Sequence, residues 1–127
     1  MENNNWKDKV ILIAEDEKIN FLFLKSIFQD NGAKILWAKN GKEVIDICQN
    51  HKKIDLVLMD IQMPEIDGLN ATRQIKLKNP SLPIIVQTAY SSDDDRNKAL
   101  DAGCDDFLAK PVKPDNLMAT VERYLFG

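Results

Sequence analysis

Five short apolar segments recur along the chain, and each is followed by a segment with helical periodicity. The apolar segments span residues 9–14, 33–38, 54–59, 84–87 and 106–109. Continuous apolar runs of this length are typical of strands buried on both faces of a parallel sheet. The helical segments span residues 18–31, 42–50, 69–78, 92–102 and 114–126, and Gly or Pro residues mark many of their boundaries. The pattern therefore predicts five strands that alternate with five helices.

Regular alternation of this kind predicts an α/β fold in which helices cover both faces of a five-stranded parallel sheet. Right-handed crossovers leave few topologies for such a three-layer sandwich. A flavodoxin-like (βα)5 arrangement with strand order 2-1-3-4-5 suits a chain of 127 residues best. We expect residues 9–127 to form this single domain. The polar residues 1–8 are expected to form a flexible N-terminal segment.

Composition excludes several classes of function. The chain has 17 basic and 20 acidic residues, a net charge of −3, which argues against direct binding of nucleic acid through bulk charge. Its apolar runs all fall short of the ~20 residues of a membrane helix, so no membrane contact is expected. Cys48 and Cys104 lack CxxC spacing and are expected to be reduced thiols. We therefore expect a cytoplasmic protein.

Chemically competent side chains follow four of the five predicted strands. Glu15 and Asp16 follow the first strand, Asp60 the third, Thr88 the fourth and Lys110 the fifth. Ligands of open α/β sheets bind beyond these carboxyl ends, where three carboxylates would repel one another. Mg²⁺ would relieve that repulsion, since it binds carboxylates, waters and phosphate oxygens. Asp60 could then attack a phosphoryl group, with Lys110 and Thr88 each covering one phosphoryl oxygen.

The same positions resemble the receiver domain of two-component response regulators. The resemblance extends over about residues 10–126, and it rests on these segments: Glu15-Asp16, residues 59–64 (MDIQMP), Asp67-Gly68, Thr88-Ala89 and Lys110-Pro111. Each motif alone is weakly specific, but all of them in this order and at these spacings are highly specific. The resemblance implies a phosphorelay domain in which Asp60 accepts a phosphoryl group from a histidine kinase or a histidine-phosphotransfer domain.

The resemblance also implies a metal site. Mg²⁺, or Mn²⁺ in its place, would be held by Glu15, Asp16, Asp60 and the backbone carbonyl of Gln62. The first of these positions departs from the family pattern, because Glu15 stands where an Asp is usual. Its side chain is one methylene longer, which opens the alternative of contact through a water molecule.

A switch is implied as well. Lys110 would contact the phosphate, and a cis Lys110–Pro111 peptide would orient it. Thr88 and Phe107 would form the switch pair, and they would change the surface of helix 4, strand 5 and helix 5. Phe107 departs from the usual Tyr and offers no hydroxyl for a hydrogen bond. A homodimer through this same surface stays an open alternative.

Two further groups of residues are candidates for supporting roles. Gln62 follows Asp60 by two positions, and Tyr90 follows Thr88 by two. Both side chains are therefore placed to screen the phosphoryl group on Asp60 from attacking water. In the first predicted helix, apolar residues cover a wider arc than a sheet-facing stripe requires. Either the helix has a large core share, or Ile19, Phe21 or Leu22 belongs to an exposed patch. The resemblance implies that such a patch would dock a histidine-phosphotransfer partner.

Other classes fit the sequence less well. A haloacid-dehalogenase-type phosphatase needs a second Asp two residues after its nucleophile, where this chain has Gln62. A flavodoxin needs a glycine- and hydroxyl-rich phosphate loop after its first strand, where residues 15–17 are all acidic and would repel phosphate. A stand-alone receiver and an unphosphorylated pseudo-receiver that serves as a scaffold remain as alternatives.

The sequence of residues 87–90 and 102–111 resembles that of receivers in hybrid histidine kinases more than that of receivers fused to DNA-binding domains. We therefore expect a domain excised from a hybrid histidine kinase. Such a domain would catalyse only its own phosphorylation and dephosphorylation, and the parent protein would be the kinase. The resemblance then implies the cytoplasmic part of a membrane-bound sensor. Trp6 and Trp37 are interpreted as packing residues.

Overall fold

The predicted alternation of strands and helices is confirmed by a computed structural model, which describes residues 6–50, 53–63, 67–89 and 92–127. Every predicted element is found, with its ends within two residues of the predicted ones. The elements are β1 (Val10–Ala14), α1 (Lys18–Gln29), β2 (Lys34–Ala38), α2 (Gly41–Asn50), β3 (Leu56–Asp60), α3 (Gly68–Lys78), β4 (Ile84–Thr88), α4 (Asp93–Asp101), β5 (Asp106–Ala109) and α5 (Pro114–Phe126).

All strand pairs are parallel, and the strands lie in the order β2-β1-β3-β4-β5, as predicted. The strands β3 and β4 are buried along their whole length. Their sequences are correspondingly almost continuous in apolar residues, because helices cover both faces of a parallel sheet. The carboxyl ends of all five strands therefore meet at one edge of the sheet.

Two apolar clusters hold the three layers together. One cluster lies between the sheet and helices α2, α3 and α4. The other lies between the sheet and helices α1 and α5. Within the described part of the chain, no helix is both long enough and apolar enough to cross a membrane.

The N-terminal prediction needs a correction. Residues Trp6–Asp8 form a short 3-10 helix, and the Trp6 side chain is buried. Its ring lies 6.1 Å from that of Phe28 and 5.2 Å from that of Phe126, measured between centroids. The expected flexible segment at residues 1–8 is therefore wrong for residues 6–8, because the indole completes the core between α1 and α5. Residues 1–5 lie outside the described residues.

Both cysteines are free thiols. Cys104 is buried and Cys48 is half-buried. Burial raises the pKa of each thiol to about 11. Neither group is therefore a reactive thiolate at neutral pH.

The start of α3 lies directly against the backbone of Asp60. Asp67 caps the helix, and its side chain accepts a hydrogen bond from the Asn70 N–H at 2.9 Å. The Gly68 N–H donates to the Ile61 carbonyl at 2.9 Å. A Cβ at Gly68 would overlap the Asp60 carbonyl oxygen and lie 2.9 Å from the Ile61 Cα. Only glycine therefore fits here, and its absence of a side chain sets the position of the β3 end.

We predict that Gly68→Ala lowers the free energy of unfolding by roughly 1–3 kcal/mol, because the added methyl meets backbone that cannot rotate away. Urea unfolding followed by circular dichroism measures this loss. The control is Asn70→Ala in the same helical turn, whose side chain is exposed and whose cost is expected within about 0.5 kcal/mol. Equal stability of the Gly68→Ala and Asn70→Ala chains would contradict the prediction.

Candidate functional site

Three of the predicted site residues form a connected group at the carboxyl edge of the sheet. Asp60 ends β3, Glu15 directly follows β1 and Lys110 directly follows β5. The Lys110 ammonium lies 3.1 Å from Asp60 Oδ2 and 3.9 Å from Glu15 Oε1. The backbone also ties Lys110 to the sheet, since its N–H donates to the Thr88 carbonyl at 2.8 Å. Parallel pairing alone therefore brings together residues that are distant in the sequence.

The acidic residues form a cluster that fits a hard divalent cation. One carboxylate oxygen from each of Glu15, Asp16 and Asp60 lies within 4.8 Å of the others. Glu15 and Asp60 are only 1% and 3% exposed, whereas Asp16 is exposed. Two buried carboxylates and one that faces solvent suit Mg²⁺, which binds few carboxylates and keeps several waters. The backbone carbonyl of Gln62 stays a predicted ligand.

Charge is unevenly balanced in this cluster. Burial, and after it the negative charge of Asp60, raises the pKa of Glu15 from its ordinary value of 4.5 to about 7. A hydrogen bond from the Glu17 N–H, at 3.2 Å, and the Lys110 ammonium act in the opposite direction. One lysine therefore does not fully compensate the acids, and a bound cation would add the missing positive charge.

Asp60 is held by two donors. Lys110 donates to its Oδ2, and the Gln62 N–H donates to its Oδ1 at 3.2 Å. These two contacts fix the orientation of the carboxylate at the end of β3. The predicted cis peptide between Lys110 and Pro111 is confirmed.

The predicted switch residues lie on neighbouring strands. Thr88 is buried at the end of β4, next to Ala109 in the β4–β5 register. Phe107 is half-buried and packs against the core cluster of α2, α3 and α4. Both residues are thus close to the site, but their action as a switch pair stays a prediction. Tyr90 lies outside the described residues, and so does Pro64.

Helix α1 requires a correction. Ile19 and Leu22 are 81% and 48% exposed, as an exposed patch requires. Phe21 is only 6% exposed, because its ring stacks on that of Trp37 with centroids 4.4 Å apart. The inclusion of Phe21 among the docking residues is therefore wrong. Phe23 is 47% exposed instead, and its spacing of four from Ile19 was the signal that places both on one helix face.

A groove runs beside the acidic cluster, between α1 and the segment that follows β5. It has a volume of about 490 Å³, and its apolar wall includes Phe23, Leu24, Pro111 and Val112. Glu15, Lys110 and Gln87 line it as well. Gln87 is a polar residue that sequence reasoning treated only as part of a strand. Its side-chain nitrogen is buried without a hydrogen-bond partner among the described residues. The groove thus links the acidic cluster to the exposed face of α1.

Comparisons with known proteins agree with this architecture. The family model of the response regulator receiver domain matches residues 11–122. The chain is 30% identical over 119 residues to the polar-differentiation response regulator DivK of Brucella anthropi, covering 92% of this chain and 96% of DivK. It is 35% identical over 115 residues to the transcriptional regulatory protein ZraR of Escherichia coli K12, covering 91% of this chain and 26% of ZraR.

A similar solved structure is the receiver domain of the sensor histidine kinase PA1611 from Pseudomonas aeruginosa. The two chains superpose with a TM-score of 0.86 at 30% identity, over 94% of this chain and 98% of the other. That structure is described as having a magnesium ion coordinated in its active site cleft.

The raised pKa of Glu15 predicts that the metal-free protein loses stability as pH rises. Between the unfolded pKa of 4.5 and the folded pKa of about 7, the folded state binds more protons than the unfolded state. This contribution is complete below the lower value and is lost as pH rises through the higher one. We expect the free energy of unfolding to fall by about 1 kcal/mol from pH 6 to pH 8.

Urea unfolding in EDTA at a series of pH values measures this slope. The control is Glu15→Gln, which cannot titrate at this position and leaves the rest of the sequence unchanged. The expected result is a smaller slope in Glu15→Gln. Identical slopes in the two chains would show that Glu15 does not titrate in this range.

Proposed function

The chain belongs to the response regulator receiver domain family of two-component signalling, and on that premise we propose that Asp60 accepts a phosphoryl group from a histidine kinase or a histidine-phosphotransfer domain. The observation that carries the proposal is the buried Asp60 carboxylate, held 3.1 Å from Lys110 beside Glu15 and Asp16. The same contacts would form a strand-end ion pair in a protein without this chemistry. The additional acids make that simpler explanation insufficient, because they add repulsion that a structural ion pair does not need.

In the proposed step, an oxygen of the Asp60 carboxylate attacks the phosphorus of a phosphohistidine. The new P–O bond forms as the P–N bond breaks, and the electron pair of that bond returns to the imidazole nitrogen. Lys110 neutralises one phosphoryl oxygen, and the Thr88 hydroxyl donates a hydrogen bond to another. Glu15, Asp16, Asp60 and the Gln62 carbonyl would hold Mg²⁺, or Mn²⁺ in its place, and the bound ion would supply positive charge against the carboxylates and the phosphoryl oxygens.

The proposed output is a change of the surface formed by α4, β5 and α5. New charge on Asp60 draws Thr88 inward, and Phe107 fills the space that Thr88 leaves. Helix α4 suits such a change, because Ala99 is the one buried residue that it contributes and weakly anchored helices shift at low cost. The same surface is the site at which a homodimer would form.

The proposed docking surface for the phosphodonor is the α1 patch, which we define as Ile19, Leu22 and Phe23. These side chains are exposed, and Phe23 also lines the groove beside the acidic cluster. A partner helix placed on this patch would bring a histidine side chain towards Asp60. Contact through apolar surface also agrees with the small net charge of −3, which gives no support to binding of nucleic acid.

We further propose that the domain derives from a hybrid histidine kinase and acts in the cytoplasm. The similarity to the receiver domain of a sensor histidine kinase supports this origin, and the two free thiols suit a reducing compartment. The two curated relatives are named as a response regulator and as a transcriptional regulatory protein, rather than as histidine kinases. A stand-alone receiver is therefore the principal alternative, and a scaffold without phosphorylation is the other.

We predict that incubation with Mg²⁺ and acetyl phosphate adds one phosphoryl group to the protein and that Asp60→Asn abolishes the gain. Mass spectrometry of the intact protein measures the gain in mass. EDTA should prevent this gain, because the site then lacks the positive charge of the metal ion. The control is Asp46→Asn, an exposed acid on α2, which should be phosphorylated normally. No gain despite Mg²⁺ binding would indicate dependence on the kinase partner, and the absence of both would favour the scaffold.

We predict that Gln62→Ala and Tyr90→Ala shorten the lifetime of the phosphorylated form. Each substitution removes a side chain placed two residues after a site residue, and attacking water then reaches the phosphorus more easily. The decay of phosphorylated protein, measured by phosphate release after removal of the donor, gives the rate. Unchanged rates in both variants would remove these residues from the mechanism.

A further inference from the structure

We infer that Trp37 is a positioning residue for the metal-binding acids: its indole N–H holds the peptide between Glu15 and Asp16 in the orientation that the site requires. The inference rests on the metal site of the proposed function. Trp37 lies in β2, away from every motif that carries the family resemblance. It acts through the backbone of Glu15, which its indole contacts, rather than through the carboxylates.

The bond from the Trp37 indole to the Glu15 carbonyl lies at the carboxyl end of β1 and β2, where the backbone pairing of the two strands ends. The β1–β2 register ends at the pair Ala14 and Ala38. One step further, the Glu15 N–H still donates to the Ala38 carbonyl at 2.9 Å. The Glu15 carbonyl instead accepts from the Trp37 indole nitrogen at 2.7 Å. Asn40, the next residue that could extend the pairing, caps α2 and accepts from the Glu43 N–H at 2.8 Å.

Holding the Glu15 carbonyl constrains both acids at once. A peptide unit is planar, so the Glu15 carbonyl and the Asp16 nitrogen turn together. The Glu15 carboxylate closes the same turn by accepting from the Glu17 N–H at 3.2 Å. A short bond from the indole therefore restricts the direction of Asp16, an exposed side chain that the core does not hold. Groups that orient metal ligands in this way contribute strongly to metal affinity.

The Trp37 indole is itself held by one residue that precedes it in the sequence and one that follows it. Its ring stacks on Phe21 of α1, with centroids 4.4 Å apart and planes 6° from parallel. The Lys39 ammonium lies 4.9 Å from the Trp37 ring centroid, within the range of a cation–π interaction. Phe21 belongs to the same helix as the α1 patch. A continuous series of contacts thus connects the proposed docking helix, through Phe21 and Trp37, to Glu15.

The test compares Trp37→Phe with Trp6→Phe. Trp37→Phe keeps an aromatic ring against Phe21 but removes the donor, and we expect the Mg²⁺ affinity, measured by isothermal titration calorimetry, to fall roughly tenfold. Trp6→Phe removes the other of the chain's two tryptophans, packed on Phe28 and Phe126 instead of the site, and should bind Mg²⁺ as the wild type does. Urea unfolding of both variants shows whether a general loss of stability explains the difference.

A spectroscopic measurement and a second variant complete the test. In the Trp6→Phe chain, Trp37 is the one remaining tryptophan, and its fluorescence should change on Mg²⁺ addition and saturate with the calorimetric affinity. If Trp37→Phe does not fold, replacement of Trp37 by benzothienylalanine in that chain keeps the ring shape and removes only the N–H. The same loss of affinity is then expected.

Wild-type affinity for Mg²⁺ in the chain that lacks the indole donor would overturn the inference and leave the proposed function intact. Trp37 fluorescence that does not change during Mg²⁺ binding would also count against the inference. A wild-type protein that binds no Mg²⁺ would overturn the proposed metal site, and this inference with it. The two failures are therefore distinguishable.

Discussion

Electrostatic repulsion among carboxylates at one edge of the sheet is the constraint on which the rest of the site depends. Strand order places Glu15 and Asp60 at the carboxyl ends of adjacent strands, and burial removes the water that would otherwise screen them. Lys110 offsets part of the repulsion from a third strand. In the folded chain this arrangement favours the binding of a cation, and the proposed chemistry depends on that binding.

The sequence predicted most of the fold and the centre of the site for identifiable reasons. Strands such as β3 and β4 are buried on both faces, so they are almost continuous apolar runs that stand out from the helices. Parallel strands then bring their carboxyl ends to one edge, which made the meeting of Glu15, Asp60 and Lys110 predictable from topology alone. Neither step required knowledge of side-chain packing.

The errors and omissions concern contacts between residues that are distant in the sequence. Phe21 and Phe23 are equally apolar, and only the position of Trp37 on the neighbouring strand decides that Phe21 is the buried one. Trp6 stands in a polar segment, and its interpretation as a packing residue is confirmed. The order of residues 6–8, however, depends on aromatic partners more than twenty residues away. The bond from Trp37 to the Glu15 carbonyl joins a side chain to a backbone group, which no residue pattern records.

The contact between Gly68 and the Asp60 backbone has a consequence for how this segment tolerates sequence change. The obstacle to a larger residue is main chain, so no rearrangement of neighbouring side chains can compensate for it. The segment between Asp60 and Gly68 must therefore begin and end at nearly the same point. Insertions or deletions within it have to preserve that closure. Family members that share this contact should therefore differ little in the length of this segment.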